Sequence, residues 1–252
     1  MITQLKIKFR ADENIKPESS LSALFHGALL EKLNSAFVQD MHVSELHPYT
    51  QYISGENGSI VWNIQTFSDY AKENIVDFLL DASFSSIEIN RLKKSFAVAE
   101  KSISETSFDE LMDLHFYESS KRFVSLDFIS QTAFKQNGKY IFIPDTRLIF
   151  NSLVRKFEAF SSIEIADSSF ADFIENDITI SEYNLRSRSF FVGKNAIPSF
   201  CGNIGFRLCG ESDSVSLADM LLDFAQLSGV GIKCSMGMGA CKIKKSADMG
   251  RP

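Results

Sequence analysis

The chain has 252 residues, 44% of them hydrophobic and 23% charged, with a net charge of −6 at neutral pH. That is enough apolar material for one large or two small domains, and the acidic balance argues against a broadly basic nucleic-acid coat. No run approaches the roughly 18 apolar residues of a membrane span, and the N-terminus starts directly with strand-like alternation, so neither a membrane partner nor a secretory leader is expected and the chain reads as cytoplasmic.

Residues 1–120 carry 10 Lys/Arg against 18 Asp/Glu, and residues 121–252 carry 16 against 14, giving about −8 and +2. This split favours a local basic site in the second half. Cys201, Cys209, Cys234 and Cys241 are too widely spaced for a Cys-x-x-Cys zinc knuckle and read as reduced, buried thiols.

Ile2 to Arg10 alternates apolar Ile2, Leu5, Ile7 and Phe9 with Gln4, Lys6, Lys8 and Arg10, a half-buried strand with a cationic outer face. Pro17 and the Ser19-Ser20 pair open a helix whose apolar stripe is Leu21, Leu24, Phe25, Ala28, Leu29, Leu33 and Phe37. His26 lies one step off that stripe, in line with Leu30 and Leu33. Met41-His42 begins an irregular run, and proline in His47-Pro48-Tyr49-Thr50-Gln51-Tyr52 marks a chain reversal. Leu46 to Ile53 and Ser59 to Thr66 flank Gly55-Glu56-Asn57-Gly58 as a hairpin. Ser68 caps a helix to about Leu80 with Tyr70, Ile75, Phe78 and Leu79 inward, and a strand around Ser86 to Val98 follows.

The second half repeats the order. Arg122 to Ser130 is a strand, and Phe134 to Ile143 folds back at Asn137-Gly138. Asp145 caps a helix carrying Leu148, Ile149, Leu153, Val154 and Phe157, and a short helical piece occupies Ser168 to Glu175. Strands at Ile178 to Val192 and Ile197 to Leu208 precede a helix from Ser214 to Leu227, with Gly229 as its C-cap. A last strand spans Ala240 to Lys244, and a loose tail reaches Pro252. The result is an α+β chain of two tandem ferredoxin-like (RRM-like) βαββαβ domains, residues 1–115 and 116–252, the second ending in a C-terminal glycine-rich loop.

That loop, Ser228 to Lys245, holds Gly229, Gly231, Gly237 and Gly239 with Lys233, Lys242, Lys244 and Lys245 and no acidic residue. A dinucleotide fingerprint fails in both registers, since Cys234 or Lys242 stands where its last glycine belongs. A triphosphate-binding loop fails because Gly-Lys-Ser/Thr is absent. Two readings stay open. Open backbone N–H groups and lysines make a polyanion dock, or the glycines only supply positive φ and close packing in a helix-to-strand connection.

Placed after the last helix of a second ferredoxin-like domain, the Gly-x-Gly-x5-Gly-x-Gly run resembles the C-terminal signature of the CRISPR-associated repeat-processing endoribonucleases. Phe25-His26-Gly27-Ala28-Leu29-Leu30, Met41-His42 with His47-Pro48-Tyr49, and Ile197-Pro198-Ser199-Phe200 resemble the same family, in particular its type III-A members. The likeness runs from Ile2 to Ile243. It implies an endoribonuclease that cuts the repeats of precursor CRISPR RNA without a metal or other cofactor. CRISPR repeat RNA is its partner, with a type III effector complex as a transient one, and the protein is a monomer or homodimer. His42 occupies the family's catalytic histidine position. Leu30 stands where some members carry a tyrosine, and no lysine lies between Val43 and Gln51, where only His47 could carry a proton. His26 is the substitute for the missing partner.

Metal-free RNA cleavage makes the ribose 2′-hydroxyl the nucleophile, so the protein must move two protons and balance charge on a phosphorane-like transition state. Histidine, with an ordinary pKa of about 6.5, suits both proton roles. His42 and His26 are the catalytic candidates, and residue types do not say which is acid and which is base. His47 reads as a loop residue and His115 as a surface residue without a partner. For RNA the candidates are Lys233 and the amides around Gly229, Gly231, Gly237 and Gly239, with Arg186, Arg188, Lys194 and Lys135. The 23 phenylalanines are core first and base-stacking platforms second. The competing reading is a non-catalytic RNA-binding subunit of a CRISPR effector complex, which has no need of paired histidines. A metal-dependent nuclease would want clustered Asp, Glu and His, and no such cluster is present.

Overall fold

The computed structural model of the protein describes residues 1–10, 15, 18, 20–117, 120–165 and 167–244. Pro17, Ser19, Lys245 and the tail to Pro252 lie outside them. The chain divides into two compact units. The first is Met1–Ser107 together with Lys233–Gly237, and the second is Phe108–Ile232 with Met238–Pro252.

In the first unit β1 (Ile2–Phe9), β2 (Tyr49–Glu56), β3 (Ser59–Thr66), β4 (Ser86–Ile89) and β5 (Lys94–Thr106) form one antiparallel sheet in the order β2-β3-β1-β5-β4. Leaving out the edge strand β4, this is the ferredoxin-like arrangement, with β1 central and paired to β3 and β5. Leu5, Ile7 and Phe9 alternate inward from β1 and meet Phe25, Leu29, Trp62, Ile75 and Phe96 in the core. Phe25 is its hub, with ring contacts to Phe9, Trp62 and Phe96 at 5.1–5.5 Å. These are the edge-on and tilted approaches that aromatic quadrupoles favour.

Several elements differ from the expectation. The single helix to Phe37 is two, α1 (Ser20–Leu30) and α2 (Ser35–Val43), because Asn34 stops one and caps the other by accepting from the Ala36 N–H at 2.9 Å. Met41 and His42 are therefore helical. The hairpin turn is only Asn57-Gly58, both at positive φ (50° and 78°), the two-residue form that matches strand twist. The strand expected around Ser86 to Val98 is β4 and β5, reversed at Asn90–Leu92 with Lys93 left-handed. Ser68 does cap the next helix, which runs through α3 (Asp69–Ala71), a π-helical stretch (Lys72–Asp77) and α4 (Phe78–Leu80). Tyr70, expected inward, is exposed, and its hydroxyl donates to Asp40 at 3.0 Å while its ring edge meets Phe37. It thereby ties down α2.

The second unit contains α5 (Phe108–Tyr117), β6 (Phe123–Thr132), a separate two-stranded hairpin of β7 (Phe134–Gln136) and β8 (Lys139–Ile141), and α6 (Thr146–Ser161). Then follow α7 (Ser168–Asn176), β9 (Ile178–Val192), β10 (Asn195–Leu208), α8 (Ser212–Ser228) and β11 (Cys241–Ile243). Its main sheet runs β11-β6-β10-β9, the same ferredoxin-like order. Asp145 caps α6 through the Leu148 N–H at 3.1 Å. Phe157 makes T-shaped contacts with Phe108 and Phe224, which meet each other tilted, and with the Phe150–Phe206 pair they fill the core beneath. Buried Lys156 donates to the carbonyls of Ser228 and Gly229, so a cation closes the C-terminus of α8.

His115 is not a surface residue. It is buried on α5, with Nδ1 3.1 Å from Asp219 and Nε2 3.2 Å from Asp223 on α8. Within the polar region between Glu100 and Ser120, where a domain boundary is expected, lie the end of β5 and then α5, a helix of the second unit. Of the cysteines, Cys234 and Cys241 are buried but Cys209 is exposed and Cys201 half-exposed. Among the described residues no helix is long and apolar enough to cross a membrane.

Candidate active site

The first unit brings three of the four histidines into one neighbourhood. His26 comes from the middle of α1, His42 from the last turn of α2, and His47 from the loop entering β2. Segment Lys233–Gly237, counted with this unit, adds Lys233. The four side chains lie close enough that His47, His42 and Lys233 each disfavour a charge on His26.

His26 sits at the floor, only 8% exposed, with Nδ1 2.7 Å from the Tyr49 hydroxyl and a further hydrogen bond to the Ser235 backbone. Burial first, then the charges of His47, His42 and Lys233, pull its pKa down to about 4 against the pull of the Ser235 backbone. It is a neutral imidazole at neutral pH. Burial also pushes the Tyr49 phenol far up, so Tyr49 keeps its proton.

His47 is half-buried, its Nδ1 2.8 Å from the Ser235 hydroxyl and its ring stacked with Tyr49. Burial, His42 and Lys233 lower its pKa. His42 is exposed at the C-terminal end of α2, where buried Phe37 and Met41 hold the helix down. The candidates of the first unit are thus assembled, and His47 joins them from a position read as a plain loop.

The glycine run is less open than its residue types suggest. The N–H groups of Gly229, Gly231, Gly237 and Gly239 donate to Ala225 O, Ser152 Oγ, Cys234 O and Gln131 O, all at 2.9–3.1 Å. What the glycines supply is room. A Cβ would stand 2.3 Å from Ala133 O at Gly231, 2.1 Å from Ser22 Cβ at Gly237 and 2.1 Å from Val230 O at Gly239. The expected cradle of free glycine amides is corrected accordingly, and Lys233 is an exposed cation within it.

Arg186 and Arg188 are exposed on β9 opposite Cys201 and Ser199, and exposed Lys194 sits in the turn to β10. Lys135 lies on β7 with its ammonium 5.9 Å over the Tyr140 ring. These four belong to the second unit.

Three residues at the site escaped the reading of the sequence. Tyr49 orients His26. Gln51, fully buried, donates to the carbonyls of Ser22 and Ser235 at 3.0 Å each and accepts from the indole of Trp62 at 2.9 Å. Ser235 joins His26, His47 and Gln51. Tyr49 stood in a quoted motif and Ser235 in the glycine run, but nothing local announces pairing across 188 positions. Among the described residues no three His, Cys, Asp or Glu side chains converge as a metal ligand set.

Residues 126–241 match the family described as CRISPR-associated endoribonuclease Cas6. The chain is 31% identical over 230 residues to the Mycobacterium tuberculosis protein of that description, covering 91% of this chain and 73% of the relative. The Streptococcus thermophilus protein of the same description is 31% identical over 235 residues, with coverage of 92% and 95%. Among solved structures, Thermus thermophilus Cas6 superposes with a TM-score of 0.75 at 22% identity, covering 97% of this chain and 98% of that one. A Cas6 product complex superposes at 0.78 and 23%, covering 97% and 99%. These two likenesses establish the fold.

Proposed function

Because this chain belongs to the Cas6 family of CRISPR-associated endoribonucleases, we propose that it cuts the repeats of precursor CRISPR RNA, as its type III-A-like motifs imply, by metal-independent transfer of two protons. The 2′-oxygen bonds to phosphorus as its proton leaves, the bond to the 5′-oxygen breaks, and that oxygen takes up a proton. The products are a 2′,3′-cyclic phosphate and a 5′-hydroxyl, with no change of oxidation state.

His26, neutral and oriented by Tyr49, takes the 2′-hydroxyl proton. The Ser235 backbone favours the imidazolium that results. Exposed His42 gives a proton to the departing 5′-oxygen, and Lys233 balances charge on the phosphorane-like transition state. Arg186, Arg188, Lys194 and Lys135 hold flanking phosphates, which orient the RNA without reading it. The product passes to a type III effector complex.

One observation carries this reading. Three imidazoles and one ammonium share a site in which one imidazole is held in its basic form. A non-catalytic RNA-binding subunit has no use for that arrangement. Purified protein incubated with labelled repeat RNA in EDTA should make one discrete cut, and a 2′-deoxy nucleotide upstream of it should leave the RNA bound but whole. Intact RNA in both reactions would leave the RNA-binding subunit standing.

A further inference from the structure

Segment Lys233–Gly237 departs from the packing of its sequence neighbours to join the first unit. It is one 3-10 turn, Cys234–Met236, between two left-handed residues, Lys233 (φ 56°, ψ 34°) and Gly237 (φ 100°). The second is a glycine, as such a backbone prefers. The first is a lysine, and a non-glycine residue in this region costs on the order of 1 kcal/mol and persists only where its surroundings impose it.

Those surroundings converge on Ser235. The buried Gln51 amide donates to its carbonyl at 3.0 Å, and that amide is itself fixed by Trp62 and the Ser22 carbonyl. Its hydroxyl meets His47 Nδ1 at 2.8 Å, and Gly237 closes against Ser22 with no space for a Cβ. The side chain two residues before this anchor is Lys233, whose charge reaches both His26 and His47. Because a lysine ammonium rides on a flexible four-carbon stem, the backbone from which it starts decides where it can dwell.

We infer that Ser235, gripped by Gln51 at its carbonyl and by His47 at its hydroxyl, is the positioning residue that holds Lys233 against the reacting phosphate. This rests on the functional reading above, in which Lys233 supplies transition-state charge. His47 then acts through Ser235, by the hydrogen bond between its Nδ1 and the Ser235 hydroxyl, and not by moving a proton of the substrate.

Single-turnover cleavage of cognate repeat RNA at saturating enzyme tests this, with affinity for the 2′-deoxy repeat RNA as the readout of an intact fold and binding surface. Ser235→Ala and His47→Ala should each slow cleavage roughly ten- to hundredfold, the scale of a misplacement of about 1 Å, with an affinity loss no greater than that of Lys233→Ala. His47→Asn, whose side-chain amide can take the place of Nδ1, should restore most of the rate. The double variant Ser235→Ala/Lys233→Ala should be no slower than Lys233→Ala alone, because the first change acts only through the second residue. Wild-type rates in Ser235→Ala, His47→Asn as slow as His47→Ala, or losses that multiply in the double variant would overturn the proposal while leaving the endoribonuclease reading intact. Lys233→Ala cutting at the wild-type rate would overturn the catalytic role of Lys233 itself, and the positioning role with it.

Discussion

The Tyr49 hydroxyl lies 2.7 Å from His26 Nδ1 in a fully buried contact, with the two rings inclined by only 17°. A phenol that keeps its proton is a fixed orienter of its neighbour, in the way that a third group orients the base of a catalytic triad. Tyr49→Phe should therefore have two effects. Stability should fall by about 1–3 kcal/mol, because a buried imidazole nitrogen loses its partner, and cleavage should slow because the ring is free to turn. Denaturant unfolding and single-turnover kinetics on one preparation check both. A lower stability with unchanged rate would reduce Tyr49 to a core residue.

The low pKa of His26 has a kinetic signature. If His26 is the base, its basic form survives down to about pH 4, so the acid limb of the pH–rate profile should fall well below the ordinary imidazole value. Lys233 is among the charges that lower it, so Lys233→Ala should move that limb upward on whatever activity remains. A limb at the ordinary value in the wild type would take the role of base away from His26.

His115 gives a stability signature of the opposite sign to that of His26. Burial lowers its pKa, but hydrogen bonds to Asp219 and Asp223 outweigh that and raise it to about 9. Its contribution is therefore present in full below the unfolded value of about 6.5 and lost as pH rises through about 9. His26, depressed when folded, contributes above about 6.5 and loses that contribution as pH falls toward 4. Near pH 6, His115→Ala should cost about 3 kcal/mol, since it strands a buried carboxylate. Denaturant midpoints of wild type and variant should draw together near pH 10, and a gap that stays constant with pH would contradict the charged pair.

Glycine and lysine substitutions in the loop should separate. Gly237→Ala places a Cβ against Ser22 at a backbone φ of 100°, so it should lower thermal stability and cleavage together. Lys233→Ala should leave the fold intact and flatten the salt dependence of RNA binding by roughly one unit of slope or slightly less. Equal salt slopes for Lys233→Ala and wild type would place the RNA elsewhere.

Most of the fold was legible because hydrophobic period and turn chemistry agree. Asn57-Gly58, Asn137-Gly138, Ser68 and Asp145 each stand where the chain turns or a helix starts. Failures came where a long-range partner overrides a local pattern. His115 looks like a surface residue because both its carboxylates lie over a hundred positions away on α8. The break after α1 was hidden because Leu33 and Phe37 continue its stripe while Asn34 silently caps the next helix. At the site His26, His42 and Lys233 were legible as residue types. The role of Ser235 was not, since it exists only once its segment joins the first unit. The glycine amides misled because openness was inferred from composition, whereas each amide finds an acceptor in the fold.

In the proposed reaction the exposed His42 at the end of α2 moves a proton in the cleavage step. The most direct test of that step is the single-turnover rate of His42→Ala on labelled repeat RNA in EDTA, measured beside the affinity of the same variant. The rate should fall by roughly two to four orders of magnitude, the range of general acid–base catalysis, while the affinity stays at the wild-type value. Cleavage by His42→Ala within a few-fold of the wild type would contradict the account.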